Sequence, residues 1–151
     1  MKNFMMVQSI EVKQYKITGR DFKNAGRVSE EIKMLLEQMK FNPEIVRRAS
    51  ICIFEAEMNV VMYAQKGVVD FLATPEKIEI VVRDIGIGIP DIEKAMQPGY
   101  STATEEMREM GFGAGMGLPN IKENADCFEI ASDVGKGTRL TIILNSKVKN
   151  K

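Results

Sequence analysis

Glu55 and Asn59 stand four residues apart in a segment with helical periodicity, a spacing that places a carboxylate and an amide one turn apart on one face. Cys52 and Met62 are their neighbours along that stripe, so two polar groups point the same way from an otherwise apolar surface. An amide oxygen is a neutral ligand of the kind Mg²⁺ accepts beside phosphates and waters. A carboxylate can take a proton from an attacking hydroxyl or water. The plainer alternative is the solvated edge of a core helix, and two residues alone do not decide between them.

A second cluster follows a strand-like run: Asp84, Ile85, Gly86, Ile87, Gly88. An acceptor-only carboxylate at the end of a strand suits an exocyclic amine such as that of adenine, and the glycines let a flat ligand approach backbone closely. An ordinary glycine turn would read the same way in isolation. A third cluster has glycine at every second position, Gly111, Gly113, Gly115 and Gly117, and leads into a helical segment. Free backbone amides at a helix start can hold a phosphate chain. Neither the Gly-x-x-x-x-Gly-Lys-Ser/Thr loop nor the strand-glycine-helix unit of a dinucleotide fold is present.

Composition narrows the chemistry further. The chain has 151 residues, of which 44% are hydrophobic, enough for one domain with its own core. Twenty-one basic residues balance twenty-one acidic ones, so the field that drives nonspecific nucleic-acid binding is missing and no nucleic-acid partner is expected. There is no histidine, which excludes a Ser-His-Asp triad and leaves carboxylates, lysine or tyrosine for acid-base work. The two cysteines, Cys52 and Cys127, lie in apolar segments without metal-ligand spacing. No signal peptide and no apolar run of membrane-spanning length are evident, so a cytoplasmic protein without a membrane partner is expected.

The elements that must position these clusters follow from periodicity. Residues 9–17 alternate loosely and predict a strand. Asp21 is a candidate cap for an amphipathic helix ending near Lys40. Asn42, Pro43 and Glu44 open a second helix, apolar on most of its circumference and stopped by Gly67. Residues 68–73 and 77–83 predict a hairpin, and residues 91–96 a short helix. Residues 97–113 read as a mobile, lid-forming loop. A helix over residues 117–125 and a closing hairpin over 127–134 and 138–144 complete the pattern. The expected fold is α/β, a two-layer sandwich of one mixed, mainly antiparallel sheet with helices on one face, in a single domain over residues 1–151 with its core over about 9–145.

The order of features, acid and amide on a helix, strand, Asp-x-Gly-x-Gly, loop, glycine cluster, helix, then a hairpin with Gly137 and Thr138, resembles the Bergerat (GHKL) ATP-binding superfamily. The Glu55-Ala56-Glu57-Met58-Asn59 box and the segment Gln97-Pro98-Gly99-Tyr100-Ser101-Thr102-Ala103 are most similar to the bacterial anti-sigma-factor serine/threonine kinases and the stressosome switch kinase. The resemblance implies ATP and Mg²⁺ as cofactors, Glu55 as base, Asn59 as magnesium ligand and Asp84 as adenine reader. It further implies Gly86 and Gly88 as the purine floor, Gly111, Gly113, Gly115 and Gly117 as the phosphate cradle, and Thr138 as an adenine-side hydroxyl. Ser101, Thr102 and Leu118 join as nucleotide-binding positions. The sporulation anti-sigma kinases carry an arginine where this chain has Gly113, which makes Arg108 the candidate for contact with the terminal phosphate. The implied function is a serine/threonine protein kinase or anti-sigma regulatory factor acting on a STAS-type (anti-anti-sigma) partner. The alternative is an ATP-binding module that sequesters a sigma factor or other partner with little catalysis, and homodimerisation is left open.

Overall fold

A computed structural model describes residues 9–109 and 116–146 of the chain. Five strands, β1 (Glu11–Thr18), β2 (Ala64–Ala73), β3 (Lys77–Gly86), β4 (Cys127–Asp133) and β5 (Gly137–Asn145), form one sheet in the order β1-β2-β3-β5-β4. All four pairings are antiparallel, so the mainly antiparallel sheet expected from the sequence has no parallel pair among the described strands.

The alternation in β3 decides which face is covered. Ile78, Ile80 and Val82 point one way, and the register sets them beside Ala73, Phe71 and Val69 of β2 and Leu144, Ile142 and Leu140 of β5. All nine are buried. The result is three apolar rows crossing the three central strands, a contact surface for helices. The opposite face carries charge, as in the 2.6 Å pair between Arg83 and Asp70.

Helix α2 (Pro43–Tyr63) lies over those rows, and helix α1 (Arg27–Gln38) packs against α2 and β1. Val28, Ile32 and Leu36 recur every four residues on α1 and are buried, as its amphipathic spacing requires. Helix α2 buries residues around most of its circumference because it touches α1, the sheet and a later helix, α5 (Gly117–Asn124). Asn42 caps it, accepting the backbone N–H of Glu44 at 2.8 Å, with Pro43 at the first position.

Two local expectations are revised. Asp21 bonds the Asn24 side chain instead of capping α1, and α1 begins after Gly26 in a left-handed conformation with φ of 97°. Its cap comes from α2: Glu57, 2% exposed, accepts backbone N–H groups from Gly26, Val28 and Ser29 at 3.1, 3.2 and 2.9 Å. That is the reason a carboxylate is tolerated inside the core helix. Helix α2 stops at Tyr63, and Gly67 lies within β2, where an added Cβ would come 2.9 Å from the Val60 side chain. Sheet pairing there overrides the helix-compatible run Ala64, Gln65, Lys66.

After β3 come the short helices α3 (Ile92–Ala95) and α4 (Glu105–Glu109). The second falls within the segment expected to be irregular, and Met107, 1% exposed, anchors it to the core. Among the described residues no helix is long and apolar enough to cross a membrane.

Candidate functional site

A cavity of about 430 Å³ opens between α2, the end of β3, the segment after it, the start of α5 and β5. Its walls are mainly apolar, with polar groups at two ends, the usual composition of a small-molecule site.

Glu55 and Asn59 form one end. Both line the cavity, and both converge on the first residue of α5. A Cβ placed on Gly117 would lie 3.5 Å from Glu55 Oε1 and 3.6 Å from Asn59 Oδ1. The other carboxylate oxygen, Glu55 Oε2, accepts a 3.0 Å hydrogen bond from Asn120 Nδ2, so α5 orients the acid. The cap residue of α5, Met116, makes no side-chain cap bond, and the first turn has no acidic residue. The positive end of the helix dipole therefore faces the cavity without a carboxylate of its own, which suits a polyanion.

Asp84 and Thr138 form the other end. Asp84 lines the cavity from β3, and its Oδ1 accepts the Thr138 backbone N–H at 3.0 Å. Burial pushes the Asp84 carboxyl above the ordinary aspartate value, opposed by the bond from Thr138. The two strands approach closely because Gly137 has no side chain: a Cβ there would be 2.0 Å from the Asp84 carbonyl oxygen. Ser132 completes the group. Its hydroxyl accepts the Ile89 N–H at 2.8 Å and lies 3.1 Å from the Gly137 carbonyl oxygen and 2.8 Å from the Thr138 hydroxyl.

The glycines after β3 have different tasks. Gly88 lines the cavity with φ of 76°, and a Cβ there would be 2.4 Å from the Asp133 carbonyl oxygen; turn conformation and close approach both require glycine. Gly86 does not line the cavity. It packs behind it, where a Cβ would come within 2.9 Å of Ala64 Cα.

Ser101, Thr102, Gly117 and Leu118 also line the cavity, so eight of the thirteen sequence-predicted positions meet in one place, with Glu55, Asn59, Asp84 and Gly88. Thr138 makes nine. Gly111, Gly113 and Gly115 lie outside the described residues. Arg108 does not line the cavity; its guanidinium reaches the Ser101 carbonyl oxygen at 3.4 Å and ties α4 to the preceding loop.

Sequence reasoning missed Asn120 and Ser132. Ser132 had a readable signal, since counting outward through the hairpin from Asp133 and Gly137 sets Ser132 opposite Thr138. Asn120 had only a weak one, a single amide in the first turn of α5.

Residues 45–148 match the family model described as histidine kinase-, DNA gyrase B-, and HSP90-like ATPase. Over 100 residues the chain is 34% identical to the serine/threonine-protein kinase RsbT of Bacillus subtilis, a match spanning 64% of this chain and 69% of that protein. It is 37% identical over 116 residues to an anti-sigma F factor of Thermoanaerobacter pseudethanolicus, spanning 71% of this chain and 78% of the relative. An anti-sigma F factor of Caldanaerobacter subterraneus is 36% identical over 106 residues, spanning 66% and 71%.

Proposed function

This chain belongs to the family of histidine kinase-, DNA gyrase B- and HSP90-like ATPases, with a serine/threonine-protein kinase and anti-sigma F factors among its relatives, and from that premise we propose that it transfers the terminal phosphoryl group of ATP to a serine or threonine hydroxyl of a STAS-type regulatory protein in the cytoplasm. The observation that carries this reading is the convergence of Glu55 Oε1 and Asn59 Oδ1 on Gly117 at the start of α5. It sets a proton acceptor, a hard oxygen ligand and an uncapped helix N-terminus around one point.

In this reading Asp84 accepts a hydrogen bond from the exocyclic amine of adenine at one end of the cavity, and the phosphates run toward α5. The acceptor hydroxyl approaches at Glu55. A bond forms between its oxygen and the terminal phosphorus, the bond from that phosphorus to the bridging oxygen of the departing ADP breaks, and Glu55 takes the hydroxyl proton. Asn120 holds the carboxylate in place through Oε2, leaving Oε1 for the proton.

The donor set fits Mg²⁺. Among the described residues no group of three or more His, Cys, Asp or Glu side chains could hold a metal alone, whereas Asn59 offers the single protein oxygen typical of a magnesium shared with substrate phosphates. Bound there, the ion would neutralise charge on the phosphates.

Incubation of the protein with Mg-ATP labelled at the terminal phosphate and a purified STAS-domain protein encoded beside it tests the assignment. The expected result is a labelled phosphoserine or phosphothreonine on the STAS protein. ATP binding with no label on that protein, together with capture of a sigma factor, would favour a sequestering module instead.

A further inference from the structure

Ser132 is a polar residue that the phosphoryl-transfer reading leaves without a task, and its hydroxyl has three neighbours at hydrogen-bond distance. The Ile89 backbone N–H, 2.8 Å away, can only donate. The Gly137 carbonyl oxygen, 3.1 Å away, can only accept. The Thr138 hydroxyl, 2.8 Å away, can do either. A serine hydroxyl has one hydrogen and two lone pairs. All three contacts are hydrogen bonds together in one arrangement alone: Ser132 gives its hydrogen to Gly137, accepts from Ile89, and accepts the hydrogen of Thr138.

The Thr138 hydroxyl is then an acceptor only on its remaining side, and Thr138 lines the cavity beside Asp84. The Asp84 carboxylate is also acceptor-only, with Oδ1 already engaged by the Thr138 N–H. This end of the cavity thus offers two acceptors side by side, from Asp84 and Thr138.

We infer that Ser132 is a positioning residue for nucleobase selectivity: by holding the Thr138 proton it fixes an acceptor pair that takes both hydrogens of a 6-amino purine and repels the carbonyl of a 6-oxo purine. The inference rests on the reading of Asp84 as partner of the exocyclic amine and adds the residue that sets the polarity beside it. Ser132 acts through Thr138, since its own oxygen is fully used by protein groups. It also explains the tie between β4 and the segment after Gly88, because the same oxygen fixes Ile89.

The test is calorimetric binding of Mg-ATP and Mg-ITP, which differ only in amine against carbonyl at the purine C6 and the ring proton that goes with it. Wild-type protein should prefer ATP by about 10²-fold. Ser132→Ala frees the Thr138 hydroxyl to turn its proton toward the base, so the preference should shrink about tenfold. Ser132→Thr keeps the hydroxyl and should restore the wild-type ratio, which a merely structural role for the strand would not require. Thr138→Val removes the acceptor and should shrink the ratio as Ser132→Ala does; it carries the test should Ser132→Ala fail to fold by circular dichroism. A wild-type ratio in Ser132→Ala, or in Thr138→Val, overturns the inference while leaving Asp84 as amine reader. Wild-type protein that binds ITP as tightly as ATP overturns the reading of Asp84 itself.

Discussion

The side-chain amide of Asn120 on α5 donates a 3.0 Å hydrogen bond to Glu55 Oε2 on α2, sixty-five residues away. This bond joins the start of α5 to the proposed base, so any movement of α5 re-aims the carboxylate. Glu55→Gln retains an oxygen for Asn120 and accepts no proton. Phosphoryl transfer should fall by about 10²-fold or more with ATP affinity preserved. Asn120→Ala leaves the acid in place but unheld, and the loss should be nearer tenfold, in kcat. Single-turnover labelling reads both; a Glu55→Gln protein that labels its partner at the wild-type rate would require a different base.

Glu57 makes a separate prediction about stability. Its carboxylate accepts three backbone N–H groups at the start of α1 and is 2% exposed. Truncation to alanine strands those donors away from water, and unfolding stability measured in urea should drop by about 3 kcal/mol. Glu57→Gln turns an NH₂ group toward one side of the cluster and should lose about half as much. An alanine variant within about 0.5 kcal/mol of wild type would show that α1 is capped by other groups in solution.

The contrast between Glu55 and Glu57 shows what was legible in the sequence. Spacing set Glu55 with Asn59 on one face and Glu57 on another, Asp84, Gly88 and Gly117 were legible from the carboxylate and glycines that follow a strand or open a helix, and the family resemblance supplied Ser101, Thr102, Leu118 and Thr138 around the same cavity. Strand alternation was equally readable, because Ile78, Ile80 and Val82 share a buried face over a short span. Three-dimensional neighbours were not readable by the same means. Glu57 caps a helix about thirty residues earlier in the chain, and Asn120 meets Glu55 only after the sheet and α5 have closed on α2. Local signals such as Asp21 and Gly67 misplaced helix ends because a distant carboxylate and a strand partner supplied stronger contacts than the local cap and stop.

Asp84 predicts a pH dependence. Burial raises its carboxyl above the ordinary aspartate value in the folded protein. For the empty fold, the cost of burying the charge is fully felt above the folded pKa, and it is relieved as pH falls through that value and below the unfolded one. Nucleotide binding has the opposite sign, since it uses the ionised acceptor. ATP affinity should decline on acidification, beginning at a higher pH than an exposed aspartate would set. Asp84→Asn should bind ATP weakly and lack this component; the remaining pH dependence it shares with wild type belongs to the phosphates. Parallel pH profiles for the two proteins would remove Asp84 from the site.

The two thiols should separate in reactivity. Cys52 is buried on α2, and desolvation pushes its thiol up to about 12, so almost no thiolate is present at neutral pH. Cys127 is exposed on the edge strand β4. A thiol reagent at pH 8 should modify one cysteine per native chain and two in denaturant. Rapid modification of both in the native protein would mean that α2 opens readily around Cys52.

Gly117→Ala separates the fold from the site. An added Cβ would meet Glu55 Oε1 at 3.5 Å and Asn59 Oδ1 at 3.6 Å, ordinary contact distances that require no movement in the empty protein. Position 117 is the first residue of α5, where alanine is at least as good a helix former as glycine. Thermal stability should therefore stay level or rise, by at most about 1 kcal/mol. The methyl group would nevertheless occupy the space between the carboxylate and the amide, where phosphate oxygens and a magnesium ion have to lie in the proposed complex. ATP affinity should fall about tenfold or more, with a larger loss in the presence of Mg²⁺ than in its absence. A drop in stability accompanying the weaker binding would trace the effect to the fold. Wild-type affinity in a stable Gly117→Ala protein would move the phosphates away from the start of α5, and the convergence of Glu55 and Asn59 there would need another explanation.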